Sequence, residues 1–337
     1  MLALIEITIW HWVGFILCVL FFLALDLGVF HRKAHVVKFK EALAWTALWF
    51  SLAMLFALGM QVARGKEEAL EFFTGYLIEL SLSMDNVFVI ALIFGYFRVP
   101  PQYQHRVLFW GILGALVMRG VMIAAGAALI HRFSWMLYVF GLFLVFTGIK
   151  MLLSKDEGVH PEKNPVVRLA RKLFPVSNEF NGQKFTIKRD AGIALTPLAI
   201  VLILVETTDL IFALDSIPAI FAVTKTTFIV FTSNVFAILG LRSLYFVLAG
   251  AIGLFRYLKY GLSIVLMFIG AKMLLDPHLE AGEVAKYAWQ IKIPINLSLV
   301  IVVAIILGSI LLSLIVARRD KKRGLDPMKL PPTDESP

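Results

Sequence analysis

A chain of 337 residues that is 60% hydrophobic and only 16% charged, with a mean hydropathy of +0.84, excludes a soluble globular domain and specifies a polytopic membrane protein. Its single cysteine, Cys18, excludes internal disulfides and thiolate metal clusters. The formal net charge of +9 would suit a nucleic-acid partner if it formed one patch, but it is distributed over loops in a way that reads as membrane topology instead.

A helix needs about 20 apolar residues to cross the hydrocarbon layer. Such runs are expected at about 8–30, 41–63, 71–97, 107–130, 134–153, 192–216, 227–250, 258–275 and 293–317. The expected fold is therefore all-α, with about nine transmembrane helices. The first run lacks a basic flank and a small-residue cleavage site, so it reads as a retained span rather than a signal peptide.

The chain divides accordingly. Residues 1–70 hold two N-terminal spans, 71–153 three helices, 154–191 a linker loop, and 192–276 three more helices. Residues 277–317 form an outer loop and the last span, and 318–337 a polar tail. The linker carries Pro161, Pro165, Pro175, Gly158 and Gly182 around a short helical stretch, Val166–Phe174, which reads as a surface helix.

Lysine and arginine set the orientation. With the basic tail cytoplasmic, the alternate loops on that side and the tail hold 22 of the 32 basic residues; the opposite side holds six and the spans four. The expectation is an N-terminus outside and a C-terminus in the cytoplasm, with the excess charge in contact with the cytoplasmic leaflet.

An internal repeat emerges when Asp85 is aligned with Asp215. Glu79 then falls on Asp209; in the spans that follow each copy, Arg119 corresponds to Arg242, and Thr-Gly-Ile-Lys150-Met-Leu-Leu to Ile-Gly-Ala-Lys272-Met-Leu-Leu. Arginine and lysine are 31 residues apart in one copy and 30 in the other. The unit is three helices, spans 3–5 and 6–8. An odd number of spans inserts the two copies in opposite senses, the inverted repeat in which transporters bind substrate at the midplane. Lys150 and Lys272 then fall near opposite membrane surfaces, where each is expected to snorkel.

Five carboxylates, Glu79, Asp85, Glu206, Asp209 and Asp215, lie inside these spans, where a charge costs at least about 2.5–3.5 kcal/mol. Such acids bind cations or carry protons. At 100° per residue, Glu206 and Asp209 share a face, as do Glu79, Ser83 and Asn86, while Asp85 lies about 120° from Glu79. To aim all five at one site, the helix is expected to break around Ala213–Pro218 and turn Asp215 inward. Carboxylate, amide and hydroxyl oxygens suit hard cations such as magnesium, calcium or manganese(II), whereas none of the seven histidines falls at a span centre. Asn86, Ser216, Asp26 and Asn234 are further candidate ligands. Arg119 and Arg242 balance two of the five negative charges; a divalent ion, or protons when the site is empty, would offset the rest.

At these motifs the chain resembles the TerC family of membrane proteins, in its Alx-type branch. The resembling stretches are Thr-Gly-Tyr-Leu-Ile-Glu79, Met-Asp85-Asn-Val-Phe-Val, Val-Glu206, Asp209-Leu-Ile-Phe-Ala-Leu-Asp215-Ser-Ile-Pro and Thr-Ser-Asn234-Val-Phe-Ala-Ile-Leu-Gly-Leu-Arg242, and the segment around Leu-Asp26-Leu-Gly extends the likeness toward the N-terminus. The resemblance implies manganese(II) efflux, or its delivery to exported enzymes, across a bacterial inner membrane. It also implies a superfamily of exporters with three-helix inverted repeats, and it carries the metal-binding role to the same five acids. The position after Glu79, often lysine or a small residue in relatives, is Leu80 here.

The leading expectation is thus a secondary transporter exporting manganese(II) as its cargo, with protons as a coupling ion and no organic cofactor. The alternative is a membrane scaffold or accessory protein for metal or tellurite stress, docking through 154–191 without transport of its own. An enzyme is not expected, because the chain has no nucleophile–base pair, metalloprotease histidine motif or nucleotide-binding loop.

Overall fold

The computed structural model describes residues 7–25, 37–154, 164–177, 179–189, 192–248, 257–276, 291 and 293–322. They form α1 (Ile9–Leu25), α2 (Phe39–Arg64), α3 (Lys66–Tyr96), α4 (Pro101–Arg132), α5 (Met136–Leu153), α6 (Pro165–Leu173), β1 (Thr186–Arg189), β2 (Gly192–Leu195), α7 (Pro197–Phe221), α8 (Thr227–Leu248), α9 (Leu258–Leu275) and α10 (Ile295–Lys322). Eight helices, α2 to α5 and α7 to α10, are long and apolar enough to cross a membrane, and α1 is a shorter apolar helix. The nine expected spans each correspond to one of these.

Local chemistry sets the junctions. Gly65 joins α2 to α3 at φ 100, a backbone region open to glycine at little cost. The sixth span departs from expectation. Residues 192–195 pair with 186–189 as an antiparallel hairpin, and helix begins only at Pro197, whose missing N–H is harmless in a first turn.

α8 is the most enclosed helix, with 83% of its apolar window buried against 17% for α2 and 22% for α5. Exposed side chains such as Leu55, Val62, Leu142, Phe146 and Leu311 cover the outer helices, as lipid-facing positions require. α3 and α7 cross at the centre. Against them α3 packs on α8, α4 on α7, α5 on α7, and α3 on α9, while α4 meets α8 and α5 meets α9. α7 also touches α8 and α9, and α4 touches α5, so exchanging α3 with α7, α4 with α8 and α5 with α9 preserves the larger contacts but not these smaller ones. Outside the core, α2 packs on α3 and α8, and α10 on α9 and α3. Phe15 of α1 meets Phe56, Phe228, Phe231 and Phe236, which ties α1 and α2 to α8.

The α5–α9 crossing brings backbones together. A Cβ on Gly270 would lie 2.7 Å from the Gly141 carbonyl oxygen, and one on Gly148 would lie 2.9 Å from the Ser263 carbonyl oxygen. Apolar side chains gain little by association in lipid, so close packing of small residues supplies the attraction. The repeat alignment pairs Gly148 with Gly270 and Gly141 with Ser263, so the two approaches exchange with each other.

The paired lysines do not share an environment. Lys150 is exposed, as expected, but Lys272 is only 5% exposed. Glu71 of α3 and Asp276 beyond the end of α9 give it charged company inside the bundle, so it does not snorkel.

Replacing Gly270 by Leu should force α5 and α9 apart and lower stability by at least about 1–3 kcal/mol, the usual range for overpacking. Gly59→Ala, where a Cβ meets nothing within 4 Å, should be near neutral. Thermal unfolding of the purified variants in detergent measures both.

Candidate functional site

Arg119, on α4, enters the centre of the bundle and is 2% exposed. Its Nε donates to Asp209 Oδ2 at 3.1 Å and its Nη2 to Asp209 Oδ1 at 2.8 Å, a side-on bidentate pair. Its Nη1 donates to Glu79 Oε1, to Asn234 Oδ1 at 2.7 Å and, at 3.4 Å, to Ser216 Oγ. Asn234 Nδ2 in turn donates to Glu79 Oε2 at 3.2 Å, and Ser83 Oγ to Glu79 Oε1 at 3.3 Å. Asn86 Nδ2 donates to Asp209 Oδ1 at 3.3 Å. One guanidinium therefore joins carboxylates from α3 and α7 with amides and hydroxyls from α3, α7 and α8.

These bonds fix how α3 and α7 cross. Glu79 lies beside Ser216, and Asn86 beside Asp209, so the two helices run antiparallel with Leu82 and Phe212 at the crossing. The Arg119 cluster occupies the side of the crossing that faces α4 and α8. Asp85 and Asp215 lie on the other side, where with Leu82, Met151, Phe212, Leu262 and Leu266 they line a cavity of about 30 Å³ between α3, α5, α7 and α9. The Thr147 hydroxyl donates to Asp215, and Lys150 lies within electrostatic reach of it.

The five acids thus do not converge on one point, contrary to the expectation from sequence. The reason is that α7 does not break. Pro218 sits within the helix near its C-terminal end, and the helix runs through to Phe221. One lost hydrogen bond there is tolerated, and the six-residue spacing from Asp209 to Asp215 keeps its regular angular offset of about 120°. The same offset separates Glu79 from Asp85 on α3.

Glu206 shares the Asp209 side of α7 and packs onto α4. Its carboxylate lies against Gly114, where a Cβ would come within 2.0 Å of Oε1. Glu206 Oε2 and Asn86 Oδ1 are both buried without a hydrogen-bond donor among the described residues. Both belong to residues adjoining Asp209, one by helical spacing and one by hydrogen bond. Arg242 is buried and lines a cavity of about 20 Å³ together with Asp209, Gly111, Ala115 and Val205. Asp26 lies outside the described residues.

Among the described residues no three His, Cys, Asp or Glu side chains are gathered into a group that could hold a metal ion alone. A cation at either place would draw on amide and hydroxyl oxygens as well, which is the coordination hard divalent ions accept. Two participants escape a reading of the sequence. Thr147 stands one turn before Lys150 in the repeated Thr-Gly-Ile-Lys150 motif, but its counterpart in the second copy is Ile269, so the alignment gives it no emphasis. Gly114 matters only through its missing side chain.

Removing Arg119 would leave two buried carboxylates facing each other without their shared cation. Arg119→Leu should destabilise the protein by about 3–5 kcal/mol, and Asn234→Ala by about 1–3 kcal/mol through the bonds lost by the Arg119 Nη1 donor and the Glu79 Oε2 acceptor. Unfolding in detergent, followed by far-UV circular dichroism, gives the comparison.

Residues 64–321 match the model of the family described as "Integral membrane protein TerC family". A membrane protein of Myxococcus xanthus, STKORF319, is 51% identical over 319 residues, covering 95% of this chain and 96% of its own length. A protein of Escherichia coli K12 named "Putative membrane-bound redox modulator Alx" is 44% identical over 325 residues, covering 93% of this chain and 97% of its own. A membrane protein of Rickettsia felis is 40% identical over 304 residues. No solved structure matches. The chain belongs to the TerC family of integral membrane proteins.

Proposed function

We propose that the chain is a secondary transporter that exports divalent manganese, handling the ion at the acids that flank the α3–α7 crossing. The observation that carries this reading is a pair of buried oxygen acceptors beside Asp209, Glu206 Oε2 and Asn86 Oδ1, that lack donors among the described residues. Arg119 holds Glu79 and Asp209 at the same place. Asp85 and Asp215 line a cavity. Buried acceptors without donors are costly, and a cation supplies what they lack.

In this reading Arg119 is a resident cation that holds Glu79 and Asp209 while the transported ion is elsewhere. Arrival of a divalent ion at Asp209, with Glu206 and Asn86 beside it, would compete with the guanidinium and loosen the α4 contact. The Asp85–Asp215 cavity, on the opposite side of the same two helices, would serve as a second station. Protons would exchange for the ion at carboxylates that the guanidinium does not neutralise. The inverted repeat is part of the proposal: the larger packing contacts, α3 on α8 and α4 on α7, exchange with each other, as do the Glu79–Ser216 and Asn86–Asp209 neighbours. Such an arrangement supports rocking of one half against the other. Manganese as cargo draws on the family resemblance, and the basic loops support a cytoplasmic C-terminus in the inner membrane.

The name given to the Escherichia coli relative invites a redox reading. Exchange between thiols and a disulfide needs two sulfurs, and this chain has only Cys18. The acids are the better-supported chemistry.

Purified protein in liposomes loaded with a manganese-sensitive dye provides the test. Asp85→Asn, Asp209→Asn and Asp215→Asn should each lower the initial rate at least about tenfold while the protein keeps its elution volume and helicity. Wild-type rates in Asp85→Asn and Asp215→Asn together would overturn the assignment. A scaffold without transport of its own would give no manganese flux with the wild-type protein in these liposomes.

A further inference from the structure

α6 divides its surface among three environments. At 100° per residue, Val166, Leu169, Ala170 and Leu173 fall within one arc of about 100°, and Arg168, Arg171 and Lys172 fall within the opposite arc. Val167 lies between the two arcs. Its side chain is fully buried, in one apolar cluster with Phe94, Val99, Leu198 and Val201 at the ends of α3 and α7. The helix is therefore docked sideways on the bundle, with an apolar edge about a quarter turn to one side and a basic edge about a quarter turn to the other.

The apolar edge is uncovered. Leu169 is 55% and Leu173 64% exposed, and Val166 and Phe174 are exposed as well. Nothing in the sequence of α6 forces this exposure, because the helix is held firmly. Asn164 Oδ1 accepts from the Val166 and Val167 backbone N–H groups at 2.9 and 3.1 Å, and Pro165 starts the helix. The following β-hairpin is itself pinned: Arg106 of α4 donates to Gln183 and stacks over Phe185, and Thr196 Oγ1 donates to the Lys184 carbonyl. Lys184 and Lys188 add exposed positive charge to the same end of the molecule.

We infer that α6 lies in the headgroup layer of the bilayer and binds anionic phospholipid, its leucine edge immersed and its arginine edge against phosphate. A short helix with leucines on one side and arginines and lysine on the other is the form that occupies a membrane interface, and the positive edge complements anionic headgroups. Continuity with the membrane favours lipid over a soluble partner: α6 is anchored where α3 ends and α4 and α7 begin, at the boundary of the hydrocarbon-crossing segments.

Single cysteines placed at 166, 168, 169, 171, 172 and 173 in a Cys18→Ser background, labelled with an environment-sensitive fluorophore, test this in liposomes. Labels at 166, 169 and 173 should emit at shorter wavelength and be quenched by bromine-labelled acyl chains severalfold more than those at 168, 171 and 172. Replacing phosphatidylglycerol by phosphatidylcholine, or Arg168, Arg171 and Lys172 together by Glu, should reduce that quenching. Uniform water-like emission at all six positions would overturn the inference. So would protection at 169 and 173 without quenching by lipid, which would mark a protein contact such as a second copy of the chain. These positions lie outside the proposed ion path, so transport by Cys18→Ser serves as the folding control.

Discussion

The cost of charge in a medium without water governs this molecule. Arg119 is buried where no solvent reaches it, and its position is tenable only because every edge of its guanidinium is bonded. Those bonds come from different helices: Glu79 from α3, Asp209 and Ser216 from α7, and Asn234 from α8. In water such an ion pair would contribute little. In the bundle core, removing either partner strands a charge. The register of α3 against α7 follows, since only one sliding position satisfies both carboxylates and both amides.

That register also decides where the remaining acids go. Six residues along a regular helix amount to one full turn and two thirds of another, so Asp85 and Asp215 cannot share the side occupied by Glu79 and Asp209. Two polar regions result, separated by the Leu82–Phe212 crossing. One is closed by a guanidinium; the other surrounds a small cavity. This division gives the proposed transport cycle two places for a cation and a built-in competitor for one of them.

Much of this was legible in the order of residues. The all-helical class and the positions of the apolar helices, the shared face of Glu79, Ser83 and Asn86, and the companionship of acids with Arg119 follow from hydropathy, helical angles and charge balance, although eight helices rather than nine reach membrane length among the described residues. What failed has identifiable causes. Pro218 suggested a broken helix, but a proline so near the C-terminal end removes one bond from a segment that tertiary packing keeps helical. Residues 192–195 looked like the start of a span because they are apolar, yet their pairing with 186–189 is a contact sequence hydropathy does not encode. Lys272 looked like a surface anchor, whereas Glu71, from a helix distant in sequence, provides it with charged company inside. Thr147 and Gly114 gave no signal, as one is an ordinary hydroxyl and the other acts by making room.

The glycine contacts between α5 and α9 have a mechanical meaning. Where two helices touch through interlocked side chains, turning one against the other must pull many knobs from their sockets at once. Gly141 and Gly270 bring main chain to main chain, and the side chains of Val145 and Leu274 close around the same point. The seam therefore works as a clasp: it fixes the distance between α5 and α9 and resists their turning against each other.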